Sequence, residues 1–425
     1  MNAREVARRV LERVANDAAW ATLALDAELA RSNLEDRDRR LAAELVYGVL
    51  RHRTRIDRAL TAHADLSRTP PKVHTAMRIA AYQILFLDRV PDYAAVDDAV
   101  AAARAFGGQK LGGFTNAVLR KVTKAREPAL PTDPIARLEV EHSLPRWILD
   151  ELIAVAPDDA AALAAAFAQP APLVARANRL RTTRDALAEQ LVVAGATATP
   201  IALVPEALRL EGLGDPGRSP TFLAGTWTVQ DTGAQLVGHV AGLQLTAGQR
   251  VLDACAGVGG KATHLAELAG DAIAIDAADQ SKTKLQLLAK TAARLGLTSL
   301  HPIACDLTDP AAPLAAAYDL ILLDAPCTGL GVLRRHPDAK WRMTPNDIPR
   351  MAAIQATLLD AVVARLAPGG TLIYSVCTFT RAEGPEQVAA LIARTGLRLV
   401  EERRTWPPDA DAFYIARLQR ADVVS

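Results

Sequence analysis

The stretch Asp319-Leu-Ile-Leu-Leu-Asp-Ala-Pro-Cys-Thr-Gly-Leu-Gly331 reads as a buried strand that ends in chemistry. Leu320 to Leu323 form a continuous apolar run, the pattern of a central parallel strand covered on both faces. The run stops at Asp324, and Pro326, Gly329 and Gly331 turn the backbone rather than extend it. A carboxyl and a thiol, Asp324 and Cys327, thus stand close together at a strand's carboxyl end, where open α/β sheets bind their ligands.

Around this stretch the chain alternates strand and helix from residue 249 onward, which argues for a doubly wound, Rossmann-like parallel sheet. Val251 to Ala254 is the expected first strand, followed by the turn Cys255-Ala256-Gly257-Val258-Gly259-Gly260-Lys261 and a helix from Ala262 to Leu268. A second strand over Ala272 to Ile275 ends at Asp276, and a third ends at Cys305-Asp306. A helix from Pro349 to Leu366 ends at Pro368-Gly369-Gly370. A fifth strand runs from Thr371 to Cys377, and Phe413 to Leu418 reads as a late antiparallel strand.

The glycine turn has neither the P-loop spacing nor G-x-G-x-x-G. Its glycines let a ligand approach the backbone closely. At the tip of the second strand Asp276 can accept both hydroxyls of a ribose, and Asp306 stands where an adenine ring would lie. A nucleoside ligand such as S-adenosylmethionine suits this set. A dinucleotide, or a purely structural turn, stays open at this point.

The cysteines are Cys255, Cys305, Cys327 and Cys377. They are too few for a disulfide framework, and no His/Cys cluster has zinc-like spacing, so no metal is expected. An isolated buried cysteine is usually inert packing, which is the reading for Cys255 and Cys305. Cys327 and Cys377, each at a strand tip, are read as reactive.

A chain of 425 residues predicts two or three domains. Net charge is only +1, but residues 1 to 130 carry 22 Lys+Arg against 16 Asp+Glu, leaving the remainder mildly acidic. That asymmetry hints at a polyanion partner for the front. Aromatics are 4%, too few for many base-stacking platforms, so phosphate contacts should dominate. The start, Met1 to Val10, is charged and lacks a signal-peptide core. No apolar run approaches the ~18 residues needed to cross a bilayer. A cytoplasmic, monomeric protein without a membrane partner is expected.

Residues 3 to 125 read as all-helical. Val6, Val10, Leu11 and Val14 repeat at helical spacing, as do Leu41, Leu45, Val49 and Leu50, and Met77, Ile79, Tyr82, Ile84 and Leu85. Asp36 or Asp38 is placed to cap the second of these helices, and Gly107-Gly108 and Gly112-Gly113 break the pattern later. Prolines 128, 131, 134 and 145 mark a linker. Leu173 to Asn178 reads as a strand. Thr182 or Thr183 caps a helix through Val192, and Ala198 to Leu210 holds two short strands, a βαββ-like unit. Trp227 to Asp231 reads as a strand entering a helix from Thr232 to Leu243. The expected division is 1–127 helical, 128–170 linker and helices, 171–225 small α+β, and 226–425 Rossmann-like.

Asp38-Arg-Arg-Leu-Ala-Ala-Glu-Leu-Val-Tyr-Gly-Val-Leu-Arg51 and Phe114-Thr-Asn-Ala-Val-Leu-Arg120 resemble the NusB-like RNA-binding fold. Asp253-Ala-Cys-Ala-Gly-Val-Gly-Gly-Lys261, Asp324-Ala-Pro-Cys327, Arg334-Arg-His-Pro-Asp338 and Tyr374-Ser-Val-Cys-Thr378 resemble the RNA cytosine-C5 methyltransferases of the Nol/Nop/Sun family. The match spans the chain, and the helical front makes it most similar to the bacterial RsmB (Sun/Fmu) branch, which methylates cytosine-967 of 16S rRNA. The resemblance implies S-adenosylmethionine held by Cys255 to Lys261, Asp276, Asp306 and Asp324. It implies Cys377 as the nucleophile, Cys327 as the group assisting release, and Asp324 at N3 of the base. It departs from the family at Val258, Thr328 and Val376, none of which removes a reactive group. Lys261 would contact substrate or lower a thiol pKa. Arg334, Arg335 and His336 would grip RNA phosphate or form a surface loop. The alternatives are the same reaction on tRNA, an RNA-binding or antitermination factor with an inactive methyltransferase domain, and an amine N-methyltransferase that needs neither cysteine.

Overall fold

The computed structural model describes residues 1–17, 19–242 and 245–421. The chain divides into two compact units, one of Met1–Gln169 with Leu333–Met343, the other of Pro170–Val332 with Thr344–Ser425. The first unit opens with helices Ala3–Asn16, Ala21–Ala30, Asp36–Arg51, Arg53–Thr61, Pro71–Phe86 and Asp92–Ala125. Val6, Val10, Leu11, Val14, Leu45, Val49, Met77, Ile79 and Tyr82 are buried in one core, as their spacing predicts. Leu41 and Leu85 reach it only half-buried. Neither Asp36 nor Asp38 caps its helix; the cap is Glu35, without a side-chain bond, and both aspartates lie in the first turn. There they face the positive end of the helix dipole. Gly107 and Gly108 do kink the last long helix, whereas Gly112 and Gly113 stay helical. Helices Pro134–Glu141, Arg146–Val155 and Ala160–Phe167 follow, the first starting inside the proline-rich linker with Pro134 at its first turn, where a missing N–H costs nothing.

The segment Leu333–Met343 packs within this helical unit although the sequence places it just after the Asp324-Ala-Pro-Cys327 turn. Trp341 lies against the helical core and its Nε1 donates to Leu50 O at 2.6 Å. Arg51 Nη2 donates to Arg334 O at 3.1 Å. The Ala21 amide donates to Asp338 Oδ2 at 3.2 Å. Lys340 is buried and its Nζ donates to Arg51 O at 2.9 Å. Burial, and secondarily the charge of Arg51, pulls its pKa from 10.5 down to about 7.

The sign of the consequence follows from proton counting. Between pH 7 and 10.5 the unfolded chain holds a proton on this amine that the folded chain releases. Stability therefore rises with pH across that window, by at most about 1.4 kcal/mol per pH unit. Thermal melting of the parent from pH 7 to pH 9 should show the rise, and Lys340→Met should flatten it. Parallel curves for the two proteins would assign the dependence to another group.

The second unit carries two sheets. The smaller is antiparallel, in order β2-β3-β1-β4, with β1 Leu173–Ala177, β2 Thr197–Pro200, β3 Ala207–Glu211 and β4 Trp227–Val229. Thr183 caps the intervening helix Arg184–Val193. The stretch at Trp227, expected to open the nucleotide-type domain, instead pairs with β1 in this sheet. Its indole is fully buried among Ala175, Leu187, Leu191 and Leu208, and Nε1 donates to Thr221 Oγ1 at 2.9 Å. The next helix spans Thr232–Gly242; its expected last residue, Leu243, lies outside the described residues.

The larger sheet comprises β5 Val251–Asp253, β6 Ile275–Asp279, β7 Leu300–Ala304, β8 Tyr318–Asp324, β9 Leu366–Val376, β10 Arg398–Arg404 and β11 Tyr414–Gln419, in order β10-β11-β9-β8-β5-β6-β7. Strands β9, β8, β5, β6 and β7 are parallel, and β11 and β10 close the edge antiparallel. The strand order therefore reverses between β5 and β8, the point where such sheets bind ligands. Three expected boundaries move. β6 begins where the second strand was expected to end, so Asp276 sits near its start and Asp279 at its tip. The helix after the Asp324 turn is Asp347–Val363. β9 begins at Leu366, pairing with Tyr318, so Pro368-Gly369-Gly370 lie in the irregular start of a strand rather than at a helix end.

Candidate active site

Register brings the reactive side chains together. In the β8–β9 pair Asp324 lies opposite Ser375. A few residues further along each chain, Cys327 Sγ and Cys377 Sγ come within 3.4 Å. The returning loop is held by Gly331, whose amide donates to Cys377 O at 3.0 Å and whose carbonyl accepts from the Ala412 amide at 3.0 Å. A Cβ at Gly331 would fall 1.9 Å from Ala412 O, so the close approach admits only glycine.

Asp324 is fixed at both oxygens. Lys261 Nζ donates to Oδ2 at 2.6 Å and Ser375 Oγ donates to Oδ1 at 2.7 Å. Burial works to lower the Lys261 pKa, but Asp324 and then Cys377 outweigh it and hold the amine above its ordinary value. The Cys327 thiol is pushed well up, first by its hydrogen bond with Cys377, then by burial, with the Glu383 carboxyl adding to it. Within the pair, Cys327 is therefore held in its protonated form.

On the ligand side, Gly257 and Gly259 have φ of +56° and +91°, and a Cβ at Gly257 would meet nothing nearer than 4.0 Å. The Gly257 amide donates to Asp279 Oδ2 at 3.0 Å and the Ser281 amide to Asp279 Oδ1 at 2.7 Å. Asp276, expected at this tip, is turned instead to Tyr318 Oη at 2.7 Å and His301 at 3.6 Å. Asp279 rather than Asp276 thus ends β6 beside the glycine turn, because the strand starts later than its apolar run predicts. Asp306 follows β7, is exposed, and accepts from the Thr308 amide at 2.8 Å. Asp253, at the tip of β5, was quoted but not singled out. It is 1% exposed, neither carboxyl oxygen has a hydrogen-bond partner among the described residues, and burial followed by the charge of Asp324 raises its pKa to about 7. An orphaned buried carboxyl beside an open glycine turn fits a ligand bearing a cationic group. The residues present therefore fit S-adenosylmethionine.

The other two cysteines behave as packing. Burial raises the thiol pKa of both Cys255 and Cys305, and both pack against the core of the larger sheet. Arg334 is 4% exposed inside the helical unit, and Arg335 and His336 are half-buried there. Arg334 is thus core rather than surface loop. Away from the thiols, Glu206, His239 and His264 bring one ligand-type atom each within 4.8 Å of one another. Glu206 is already engaged by His239 Nε2 at 2.6 Å and, as an ion pair, by Arg179 Nη1 at 3.5 Å.

Comparisons with known proteins can now be set beside this geometry. The model "16S rRNA methyltransferase RsmB/F" matches residues 240–419, the NusB family matches residues 1–124, and an RsmF/B-like ferredoxin-like domain matches residues 144–215. A probable ribosomal RNA small subunit methyltransferase B of Synechocystis is 37% identical, covering 91% of this chain and 88% of that protein. The protein of that name from Bacillus subtilis is 32% identical over 92% and 88%. The Pseudomonas putida ribosomal RNA small subunit methyltransferase B is 35% identical over 98% of each. Among solved structures, PH0851 superposes with TM-score 0.83 over 99% of both chains at 21% identity. NSun6 from Pyrococcus horikoshii superposes with TM-score 0.59 over 65% of this chain and 98% of that one at 20% identity. At such identity the likeness is one of fold. Among the described residues, no helix is long and apolar enough to cross a membrane.

Proposed function

The chain belongs to the 16S rRNA methyltransferase RsmB/F family, and from that premise we propose that it methylates C5 of a cytosine in 16S rRNA, at position 967, through a covalent bond between Cys377 and C6. The observation that carries this reading is the pair of thiols 3.4 Å apart beside a carboxylate clamped by Lys261 and Ser375. An amine N-methyltransferase has no use for two such thiols.

C5 of cytosine is too electron-poor to attack a methyl sulfonium unaided, and the remedy is covalent catalysis. The Cys377 sulfur adds to C6, the C5=C6 electron pair moves into the ring, and negative charge collects toward N3. As that charge develops, N3 takes a proton through the Asp324 carboxyl, and the carboxylate left behind is balanced by the Lys261 ammonium on Oδ2. S-adenosylmethionine, when bound, supplies an electrophilic methyl group. C5 takes that methyl as the methyl–sulfonium bond breaks; solvent water then accepts the C5 proton, N3 returns its proton to Asp324, the electron pairs restore the C5=C6 bond, and the Cys377 sulfur is expelled. The Cys327 S–H, hydrogen-bonded to that sulfur, stabilises it as it departs. Asp279 would hold the ribose, Asp306 the adenine, and the Cys255 to Lys261 turn with Asp253 the methionine portion of the cofactor.

The basic helical front supports RNA as partner, and the target base must be unpaired or flipped to reach strand-tip thiols. We assign RNA grip to residues 1–127, joined by 128–170 to the small α+β unit at 171–225, and chemistry to the region from 226 onward. The test offers S-adenosylmethionine with a radiolabelled methyl group, a 16S rRNA fragment containing position 967, and bulk tRNA. Label should appear as 5-methylcytidine in the rRNA fragment. Label in another nucleoside, or in tRNA alone, would overturn the assignment.

A further inference from the structure

Glu383 lies on the loop after β9 and is completely buried. Its Oε1 accepts from the Thr328 amide at 2.8 Å and from Gln355 Nε2 at 3.1 Å. Its Oε2 accepts from Thr328 Oγ1 at 2.6 Å, Thr380 Oγ1 at 2.8 Å and Thr378 Oγ1 at 3.4 Å. Thr328 and Thr378 also bond to each other, 3.0 Å apart. Gln355 Nε2 reaches a second acceptor, Pro326 O, at 2.9 Å. Thr328 is the residue after Cys327, Thr378 the residue after Cys377, and Pro326 the residue before Cys327. One carboxyl group thus gathers the backbones of both cysteine turns, and every donor it receives is neutral.

Burying a carboxyl away from any cation is costly unless hydrogen bonds satisfy it. An apolar side chain would fill the same space at less cost, so packing alone does not account for an acid here. A network in which every partner is bonded specifies one arrangement, and the arrangement it specifies is the sulfur-to-sulfur separation.

We propose that Glu383 is the positioning residue for both thiols: it ties the turn after Cys327 to the turn after Cys377 and thereby sets the distance between nucleophile and release group. The proposal rests on the roles given to Cys377 and Cys327 above, and its test includes an arm that needs no RNA. A trivalent aryl arsenical, phenylarsine oxide, binds two thiols at once only when they stand within bridging range. The Cys327→Ala variant sets the single-thiol baseline.

Glu383→Gln keeps the size but places an N–H2 against donors. It should remain folded by circular dichroism and bind S-adenosylmethionine as the parent does. Its arsenical affinity should fall about 100-fold as the second thiol is lost from the chelate. Methyl transfer should fall on the order of 100-fold in kcat with KM for RNA unchanged, as expected of misplaced reacting groups. The double variant Thr328→Val/Thr378→Val, which removes two hydroxyl donors and little volume, decides the matter should the first variant not fold; it should weaken arsenical capture in the same direction. Capture at the parent's affinity in a folded Glu383→Gln, or in the double valine variant if that first variant is unfolded, overturns the proposal whatever happens to the melting temperature. A parent that captures the arsenical yet methylates no RNA would sink the functional reading instead and leave the positioning role standing.

Discussion

Cys377→Ala should abolish methyl transfer, with a loss on the order of 10⁴-fold or more in kcat. No other sulfur in the site takes over the attack. The Cys327 thiol lies 3.4 Å away but its hydrogen bond to Cys377, its burial and the Glu383 carboxyl all favour its protonated form. The thiolate is the nucleophile in such additions, and Cys327 is the one of the two thiols held protonated. Binding should survive, because neither the glycine turn nor Asp279 depends on this side chain. The measurement is single-turnover methylation of a 16S rRNA fragment, beside equilibrium binding of S-adenosylmethionine. Tight cofactor binding with no product is the expected pair of results. Substantial activity in Cys377→Ala would show that attack on C6 comes from elsewhere, and the covalent route through this residue would have to be abandoned.

How far the site could be read in advance depended on where each residue sat relative to a clear hydrophobic period. The run Leu320 to Leu323 is apolar on both faces and ends at a proline-bearing turn, so Asp324 and Cys327 were legible at once, and the observed β8 agrees. The tip of β6 is Ala277-Ala278-Asp279, two small residues with little strand character. The more apolar Ala272 to Ile275 draws the expected strand upstream, so its tip is expected at Asp276 and lies at Asp279. β10 was missed for a related reason. Arg398-Leu-Val-Glu-Glu-Arg-Arg404 is an edge strand, and charge on an edge protects it from pairing while it hides the strand pattern. Trp227 was read correctly as strand but given to the wrong sheet, because which neighbour a short strand pairs with is decided by tertiary packing. Glu383 has Thr380 and Thr378 nearby in sequence, but the partners that tie it to the other cysteine turn, Thr328 and Gln355, lie 55 and 28 residues away, so its role carries no local signal. Arg334, Arg335 and His336 carry only a basic-cluster signal, and the burial of Arg334 and Lys340 with the helices, with Trp341 packed partly buried against them, places the segment against the helical core.

Cys327→Ala should leave attack intact and stall release, so that enzyme accumulates covalently on its RNA. In the parent the departing Cys377 sulfur has a hydrogen-bond donor 3.4 Å away. The Cys327 proton is held firmly because burial and neighbouring groups raise that thiol's pKa. A sulfur leaving into a half-buried pocket without that donor must carry unsolvated charge, and leaving a buried charge-bearing atom unpaired costs several kcal/mol. The barrier to elimination therefore rises, while addition of Cys377 to C6, which consumes the same charge, is not slowed. Incubation of the variant with S-adenosylmethionine and the 16S rRNA fragment should give a band of retarded mobility on a denaturing gel, absent from the parent and from Cys327→Ala/Cys377→Ala. The adduct should carry the labelled methyl group, since the block falls after transfer to C5. An adduct lacking label would move the block before methyl transfer and reassign Cys327 to that step. A variant that forms no adduct and turns over at the parental rate would remove Cys327 from the reaction altogether. In that case the short contact between the two sulfurs would stand only as packing at the ends of adjacent strands.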